Sequence, residues 1–276
     1  MTTLASLLLF ELRDEDGVVC LYASLDDDVF EEAANVVARG IAERRIGVNP
    51  RLLAVWVQQL AVTDGTQPSP SDQRLLAGGL LQNVGVPPAP NPSSHLYALV
   101  AEEIWLEVIA EQDLGLGPPV RVEGHDYSAT DPGGDGLTVH AAENGNFCFR
   151  LWESKYHGTV DPIRETVQVA CRQLQNRAVS YLSRFALIAQ RLTDCLELAK
   201  FYARLPEMWV DKDPAAGASV VIGTSELQGD CFGGIPGYFA LGADRHQGEL
   251  NAVGNFPRFA ERVREILWKG CGWSAL

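Results

Sequence analysis

Two carboxylates and a lysine come close together in residues 133–158, where GGDGLTVH is followed by a turn and the apolar run FCFRLWESK. The two halves read as a β-hairpin that places Asp135 at the outer end of one strand. Glu153 and Lys155 then lie at the end of the next strand. Because side chains two positions apart on a strand share a face, Glu153 and Lys155 point the same way.

These residue types fit the hydrolysis of a phosphodiester. Its phosphorus is anionic and weakly electrophilic, so cleavage needs a hard cation held by carboxylate oxygens, a positioned water and a fixed positive charge. Asp135 and Glu153 offer the oxygens, and the backbone carbonyl after Glu153 offers a third. Lys155 is placed to orient or deprotonate the water, or to stabilise the charge that develops on the phosphate.

The order of Asp135, seventeen intervening residues and Glu-x-Lys on an apolar strand resembles the PD-(D/E)xK nuclease superfamily. More narrowly, the features from about residue 95 to 200 look like the HamA-type nucleases of bacterial Hachiman antiphage systems. They are an acidic helix, a G-x-D-G strand start at 133–136, an aromatic-rich Glu-x-Lys strand and a following helix. The resemblance implies a metal-dependent nuclease that uses Mg²⁺ or Mn²⁺, acts on DNA and works with a helicase or ATPase subunit.

Many members of this superfamily add a glutamate from the preceding helix, and the resemblance implies such a fourth member here. We favour Glu103 as this catalytic residue and metal ligand. Glu107 lies four positions further and therefore on the same helical face, and Glu102 and Glu111 are further options. His157 follows the Glu-x-Lys strand and is either a ligand or proton donor, or a packing histidine.

A competing interpretation treats Glu153 and Lys155 as a solvated pair on a sheet edge, which contributes under about 1 kcal/mol. The apolar strand favours the catalytic interpretation, because an acid and a lysine at the end of a buried strand carry a desolvation cost that usually marks a site. The alternative function is a non-catalytic adaptor, whose acidic surface and aromatic loop hold a partner.

Charge is unevenly distributed along this chain of 276 residues, whose net charge is −14. Residues 1–140 contain 7 basic and 21 acidic side chains, whereas residues 141–204 contain 9 and 6. Because DNA binding depends on neutralising phosphates, the acidic first half predicts that a partner supplies affinity. In the basic segment Arg177, Arg184 and Arg191 form one helical stripe, which is either a phosphate rail or a solvated or ion-paired face.

The element pattern predicts an α/β protein. The nuclease resemblance implies a restriction-endonuclease-like core, a mixed sheet flanked by helices in αβββαβ order, with helical insertions. Residues 1–92 are predicted to form an N-terminal α/β region that ends in the proline-rich VPPAPNP. Residues 93–276 form the nuclease-like domain, with a helical insertion at about 161–204. The glycine-rich segment 223–249 is either an irregular connection or a substrate or partner loop.

The remaining composition excludes several other classes. The six cysteines have no ligand-like spacing, so no zinc site is predicted. The short N-terminal apolar run lacks a basic region before it, and no stretch approaches the roughly 20 apolar residues of a membrane span. We therefore expect a cytoplasmic protein without membrane contact.

Overall fold

The computed structural model describes residues 2–82, 84–112, 114, 116–124, 135–142, 145–191, 195–242 and 245–273. The strands are β1 (Leu8–Glu15), β2 (Val18–Leu25), β3 (Gly85–Val86), β4 (Ala89–Pro90), β5 (Arg121–Gly124), β6 (Gly136–Ala141), β7 (Phe147–Tyr156), β8 (Ala218–Thr224) and β9 (His246–Val253). The helices are α1 (Phe30–Ile46), α2 (Pro50–Leu60), α3 (Pro70–Leu80), α4 (Ser93–Ile109), α5 (Ile163–Ala186), α6 (Leu196–Ala203), α7 (Leu205–Val210) and α8 (Phe256–Gly270).

Seven strands form one mixed sheet in the order β1-β2-β9-β8-β7-β6-β5. The four central strands β2, β9, β8 and β7 are parallel. At the two ends, β1 runs antiparallel to β2, and β6 and β5 continue antiparallel beyond β7. Every residue of β8 and β9 is buried, as expected for central strands of a sheet that is covered on both faces. The predicted α/β class with a mixed sheet flanked by helices is confirmed.

Helices cover the two faces of this sheet and divide its core into two clusters. Helices α4 and α8, backed by α1, cover the face on which Trp105 of α4 packs against Trp152 of β7. Helices α5, α6 and α7 cover the opposite face, where Phe149 and Leu151 of β7 are buried. We call these the α4 face and the α5 face. Because side chains of β7 alternate between them, this strand is apolar along most of its length.

The strand β9, which lies next to the central strand β8, corrects one prediction. Its first residues belong to the glycine-rich segment 223–249, which we expected to be an irregular connection or a substrate or partner loop. Instead this segment ends in a fully buried strand that joins β8 to β2. The sequence did not predict this strand because it contains no long apolar run. Four of its buried side chains are polar, namely His246, Gln247, Glu249 and Asn251.

The first 92 residues contribute to the same sheet as the rest of the chain. The hairpin of β1 and β2 joins it through β9, and the core of the α4 face contains side chains from α1, α4 and α8 together. The division at residue 92 stays a prediction. Helices α5 and α6 lie within the predicted helical segment 161–204. Among the described residues, no helix combines the length and apolar character needed to cross a bilayer.

Candidate active site

The β6–β7 hairpin brings Asp135 beside Glu153. Gly136 pairs with Trp152 in the antiparallel register, so the preceding residue of one strand faces the following residue of the other. The Asp135 N–H donates a hydrogen bond to the Trp152 carbonyl at 3.1 Å. Asp135 Oδ2 accepts one from the Ser154 N–H at 2.6 Å. The backbone of β7 therefore fixes the position of the Asp135 carboxylate.

Lys155 lies among the oxygens of this hairpin. Its Nζ donates to Glu153 Oε1 in a close ion pair and lies 3.9 Å from Asp135 Oδ2. It also donates to the carbonyl oxygen of Ser154 at 3.2 Å. Oxygens from two carboxylates and one peptide group thus surround a single positive charge. The structure brings together three of the four predicted catalytic residues, with the predicted carbonyl beside them.

The site faces α5. Glu153 pairs with Val220 and Lys155 with Ile222 on the neighbouring strand, and both of these partners belong to the α5-face core. Ser154 points to the opposite face, as the strand alternation predicts. Helix α5 therefore covers the two catalytic candidates of β7.

Burial differs sharply among the three side chains. The side chain of Glu153 is fully buried, whereas those of Asp135 and Lys155 are 19% and 27% exposed. Glu153 Oε2 has no hydrogen-bond partner among the described residues. Buried polar atoms are nearly always paired, so an unpaired carboxylate oxygen next to a second carboxylate needs an explanation. A bound cation would supply one.

Burial and the nearby Asp135 carboxylate raise the pKa of Glu153 to about 8, although the Lys155 ammonium opposes this rise. For Lys155, burial acts to lower the pKa, but the carboxylates of Glu153 and Asp135 outweigh burial and raise it. Lys155 is thus held in its charged form. Perturbed groups that share one small space are typical of functional sites.

The residues present fit a divalent cation with few protein ligands. Among the described residues, no group of three or more His, Cys, Asp or Glu side chains is placed to hold a metal ion. The site itself offers two carboxylates, one with an unpaired oxygen, and the Ser154 carbonyl. Mg²⁺ is commonly bound by one or two carboxylates, with water and substrate oxygens completing its coordination. The donor set suits Mg²⁺ or Mn²⁺.

Two further side chains of α5 reach the site, and the sequence did not assign them to it. Tyr181 is buried, and its hydroxyl oxygen accepts a hydrogen bond from Gln173 Nε2 at 3.2 Å. Burial raises the pKa of Tyr181, and the Glu153 charge adds to this rise. Arg177 contacts the Tyr181 hydroxyl and acts to lower the pKa of Glu153. Gln173, Arg177 and Tyr181 recur every four residues, a spacing that places them on one helical face.

Comparisons with known proteins do not identify a family for this chain. No protein-family model matches it, and no curated protein matches its sequence. The case for a function therefore depends on the geometry of the site and on its sequence pattern.

Glu103 is not brought together with the other three residues. It lies on α4, which packs on the opposite face of the sheet from Glu153 and Lys155. Its Oε1 accepts a hydrogen bond from Arg44 Nε of α1 at 2.8 Å. Burial raises the pKa of Glu103 to about 7, against the opposing effect of Arg44. The structure therefore places Glu103 in a contact between α1 and α4.

Two of the alternative helical glutamates, Glu107 and Glu111, form other contacts. Glu107 forms a close ion pair with the same Arg44. Glu111 accepts a hydrogen bond from Thr3 Oγ1 at 2.9 Å near the N-terminus. Glu102 is buried on the same helix, α4. The structure therefore places Glu107 and Glu111, like Glu103, in contacts outside the trio.

His157 connects the end of β7 to α5. Its Nδ1 lies 2.7 Å from Thr166 Oγ1, and its backbone N–H donates to the Gly223 carbonyl at 2.8 Å. The side chain is 7% exposed. These contacts agree with the packing alternative for this histidine.

Two of the three arginines of the predicted stripe, Arg177 and Arg184, lie on α5, which ends at Ala186. Arg177 and Arg184 are exposed and form no ion pair with a described acidic residue. Exposed Arg164 and Arg172, nearer the start of the helix, line a shallow cleft with Glu165 and Gln168. Positive charge on α5 is therefore available to an anionic ligand beside the site.

Proposed function

We propose that this protein is a metal-dependent nuclease that hydrolyses DNA phosphodiester bonds through a restriction-endonuclease-like core. The observation that carries the proposal is the convergence of Asp135, Glu153 and Lys155 beneath α5, with the Ser154 carbonyl beside them. Charged side chains that are buried between a sheet and a helix carry a desolvation cost and need a reason to be there. Phosphodiester hydrolysis supplies one reason for all of them.

Asp135, Glu153 and the Ser154 carbonyl would hold Mg²⁺ or Mn²⁺, which would polarise the phosphate and lower the pKa of a bound water. Lys155 remains protonated while both carboxylates face it, and in that state it donates a hydrogen bond to a phosphate oxygen and stabilises the negative charge that develops there. A cation held by the two carboxylates would weaken their effect on the pKa of Lys155, so the lysine would accept a proton from the attacking water more readily.

Arg177 adds a second positive charge at the edge of the site. Its guanidinium contacts Tyr181 and remains exposed, so it can bind a phosphate oxygen in a bidentate manner. Tyr181 holds Arg177 from the buried side. We infer that this pair positions the scissile phosphate above the trio.

Arg177→Ala should lower the rate of DNA cleavage by roughly 10- to 100-fold, because it removes a charge that steadies the phosphate without removing a metal ligand. Arg184→Ala is the matched control, since Arg184 is an exposed arginine on the same helix. Rates are measured on one plasmid substrate at fixed metal concentration. Equal losses in the two variants would contradict the assignment of Arg177 to the site.

A partner is part of the proposal because of charge. The chain carries a net charge of −14, and the basic surface of α5 is small by comparison. A helicase or other ATPase subunit, as the sequence resemblance implies, would deliver DNA to the site against this repulsion. Long-range repulsion of DNA falls steeply with salt, so cleavage without a partner should depend strongly on ionic strength.

The decisive experiment is cleavage of supercoiled and linear DNA by the wild-type chain with Mg²⁺, Mn²⁺ or a chelator. It is repeated in the presence of the product of the neighbouring gene. We expect the wild-type chain to cleave DNA only when metal is present. We expect Asp135→Asn and Glu153→Gln to abolish this cleavage.

The adaptor alternative gives a different result in the same assay. It predicts stable capture of the partner, no cutting under any assembled condition, and function that is independent of metal. Partner binding is therefore measured for Glu153→Gln as well. Intact partner binding with lost cleavage supports the nuclease, whereas full function of this variant contradicts it.

A further inference from the structure

The two ends of the sheet differ in how openly they present a strand. At one end β5 has only four residues and follows Pro118 and Pro119, which cannot donate backbone hydrogen bonds. At the other end β1 has eight residues, contains no proline and pairs only with β2 among the described strands. Two of its leucines are unusually exposed, Leu9 at 68% and Leu12 at 59%. A long edge strand that lacks proline and exposes leucine side chains offers its unpaired backbone groups to another strand.

The hairpin turn determines which backbone groups of β1 are free. Asp16 and Gly17 both have positive φ, 54° and 84°, as in the two-residue turns that join tight hairpins. Residues that flank such a turn exchange both backbone hydrogen bonds, so Glu15 and every second residue before it bond to β2. The N–H and C=O groups of Phe10, Leu12 and Asp14 consequently point to the open edge.

An antiparallel pairing of β1 with itself, centred on Leu12, uses these free groups. Leu12 then exchanges both hydrogen bonds with Leu12 of the second copy, and their side chains lie on the same face. Phe10 of each copy lies opposite Asp14 of the other copy. On the other face Glu11 lies opposite Arg13 of the second copy, twice by symmetry. The strand is therefore self-complementary in its backbone pattern, in the contact between the two Leu12 side chains and in the two pairs of Glu11 with Arg13.

We propose that β1 is a homodimerisation edge, at which two copies of the chain join their sheets by antiparallel pairing centred on Leu12. Within one copy, Arg13 donates to Glu11 at 2.7 Å, and its guanidinium lies over the Tyr22 ring of β2 at 4.3 Å. In the dimer, Glu11 of one copy pairs with Arg13 of the second copy, and Arg13 of the first with Glu11 of the second. The proposal goes beyond the nuclease function and does not depend on it.

The mass of the full chain is measured by sedimentation or light scattering over a wide concentration range at physiological ionic strength. Wild type should shift from monomer to dimer as its concentration rises. Leu12→Lys places two like charges at the symmetry axis and should weaken dimerisation by at least about tenfold. Leu75→Lys is the matched control, because Leu75 is 52% exposed on α3, away from the edge.

Charge reversal tests the register itself. Glu11→Arg alone gives a strand with two positive side chains, and Arg13→Glu alone gives one with two negative side chains. Each variant should dimerise roughly tenfold more weakly than wild type. An equal mixture of the two should form a heterodimer, because the opposed charges again match. The melting temperatures of the separate variants show that each one folds.

A wild-type chain that stays monomeric at every concentration would overturn the proposal. So would a dimer that Leu12→Lys leaves intact, or one that Leu75→Lys disrupts equally. Failure of the single charge variants to pair when mixed would exclude the Leu12-centred register. None of these outcomes bears on DNA cleavage, so the test is independent of the proposed nuclease.

Discussion

Lys155→Met should lower the rate of DNA cleavage by at least about 10³-fold while the chain remains folded. Lys155 Nζ is within hydrogen-bonding distance of Glu153 and Ser154 and lies 3.9 Å from Asp135. No other lysine of the described residues reaches this group of oxygens. Methionine retains the length of the side chain and removes its charge, so the loss reports on chemistry rather than on packing.

The fold should tolerate this substitution because Glu153 can take up a proton. Its pKa is already about 8 with Lys155 present, since burial and Asp135 favour the neutral acid. Loss of the ammonium removes an opposing effect and raises that pKa further. At neutral pH Glu153 then stays uncharged, and no unpaired charge is left in the core. Circular dichroism and the melting temperature should therefore change little.

The matched control is Lys200→Met. Lys200 lies on α6, is 60% exposed and forms a surface ion pair with Glu197 at 2.9 Å. This variant should cleave DNA at the wild-type rate. Full cleavage by Lys155→Met would remove the catalytic proposal, and equal loss in both variants would attribute the effect to general charge.

The sequence was sufficient to predict the trio because local rules determine its geometry. The register of a hairpin relates Asp135 to Glu153, and the alternation of a strand relates Glu153 to Lys155. Both rules act over short distances along the chain. The same rules could not show that α5 covers the site, since this depends on how a separate helix packs on the sheet. Arg177 and Tyr181 were missed as site members for that reason.

The side of α4 that packs on the sheet was the feature hardest to predict from the sequence. This helix is buried around most of its circumference, so apolar periodicity does not single out the side that meets the sheet. In the structure, the side of α4 that carries Glu103 packs against Gly40, where a Cβ would overlap the Glu103 carboxylate. A glycine on α1 thus makes room for a glutamate on α4. Only the packing of two helices distant in sequence could reveal this contact.

Arg44→Met should destabilise the fold by about 2 to 3 kcal/mol at pH 8. Glu103 has a side chain that is 4% exposed, and it loses its ion-pair partner in this variant. Breaking a fully buried pair costs about 3–5 kcal/mol. We expect less here because Arg44 is 39% exposed and solvent already screens its charge.

The cost of Arg44→Met should depend on pH in a defined direction. In the folded wild type the pKa of Glu103 is about 7, above the ordinary 4.5, because burial disfavours the carboxylate. The folded state therefore binds more protons across that window, and this group's contribution to stability falls as pH rises from 4.5 to 7. Without Arg44 the folded pKa is higher, so the decline continues beyond pH 7. The difference between variant and wild type should widen above pH 7 and narrow below pH 6, by at most about 1.4 kcal/mol per pH unit.

Glu103→Gln separates this structural role from the catalytic role that the sequence predicted. The amide oxygen still accepts a hydrogen bond from Arg44, so the contact between α1 and α4 survives at a smaller cost in stability. Cleavage should remain within about twofold of wild type, whereas Glu153→Gln should be inactive. Denaturant unfolding at pH 6 and pH 8, together with the plasmid assay, measures both properties on the same samples. If Glu103→Gln lost cleavage as completely as Glu153→Gln while its stability was unchanged, Glu103 would belong to the site. The active enzyme would then have to break the ion pair between Glu103 and Arg44.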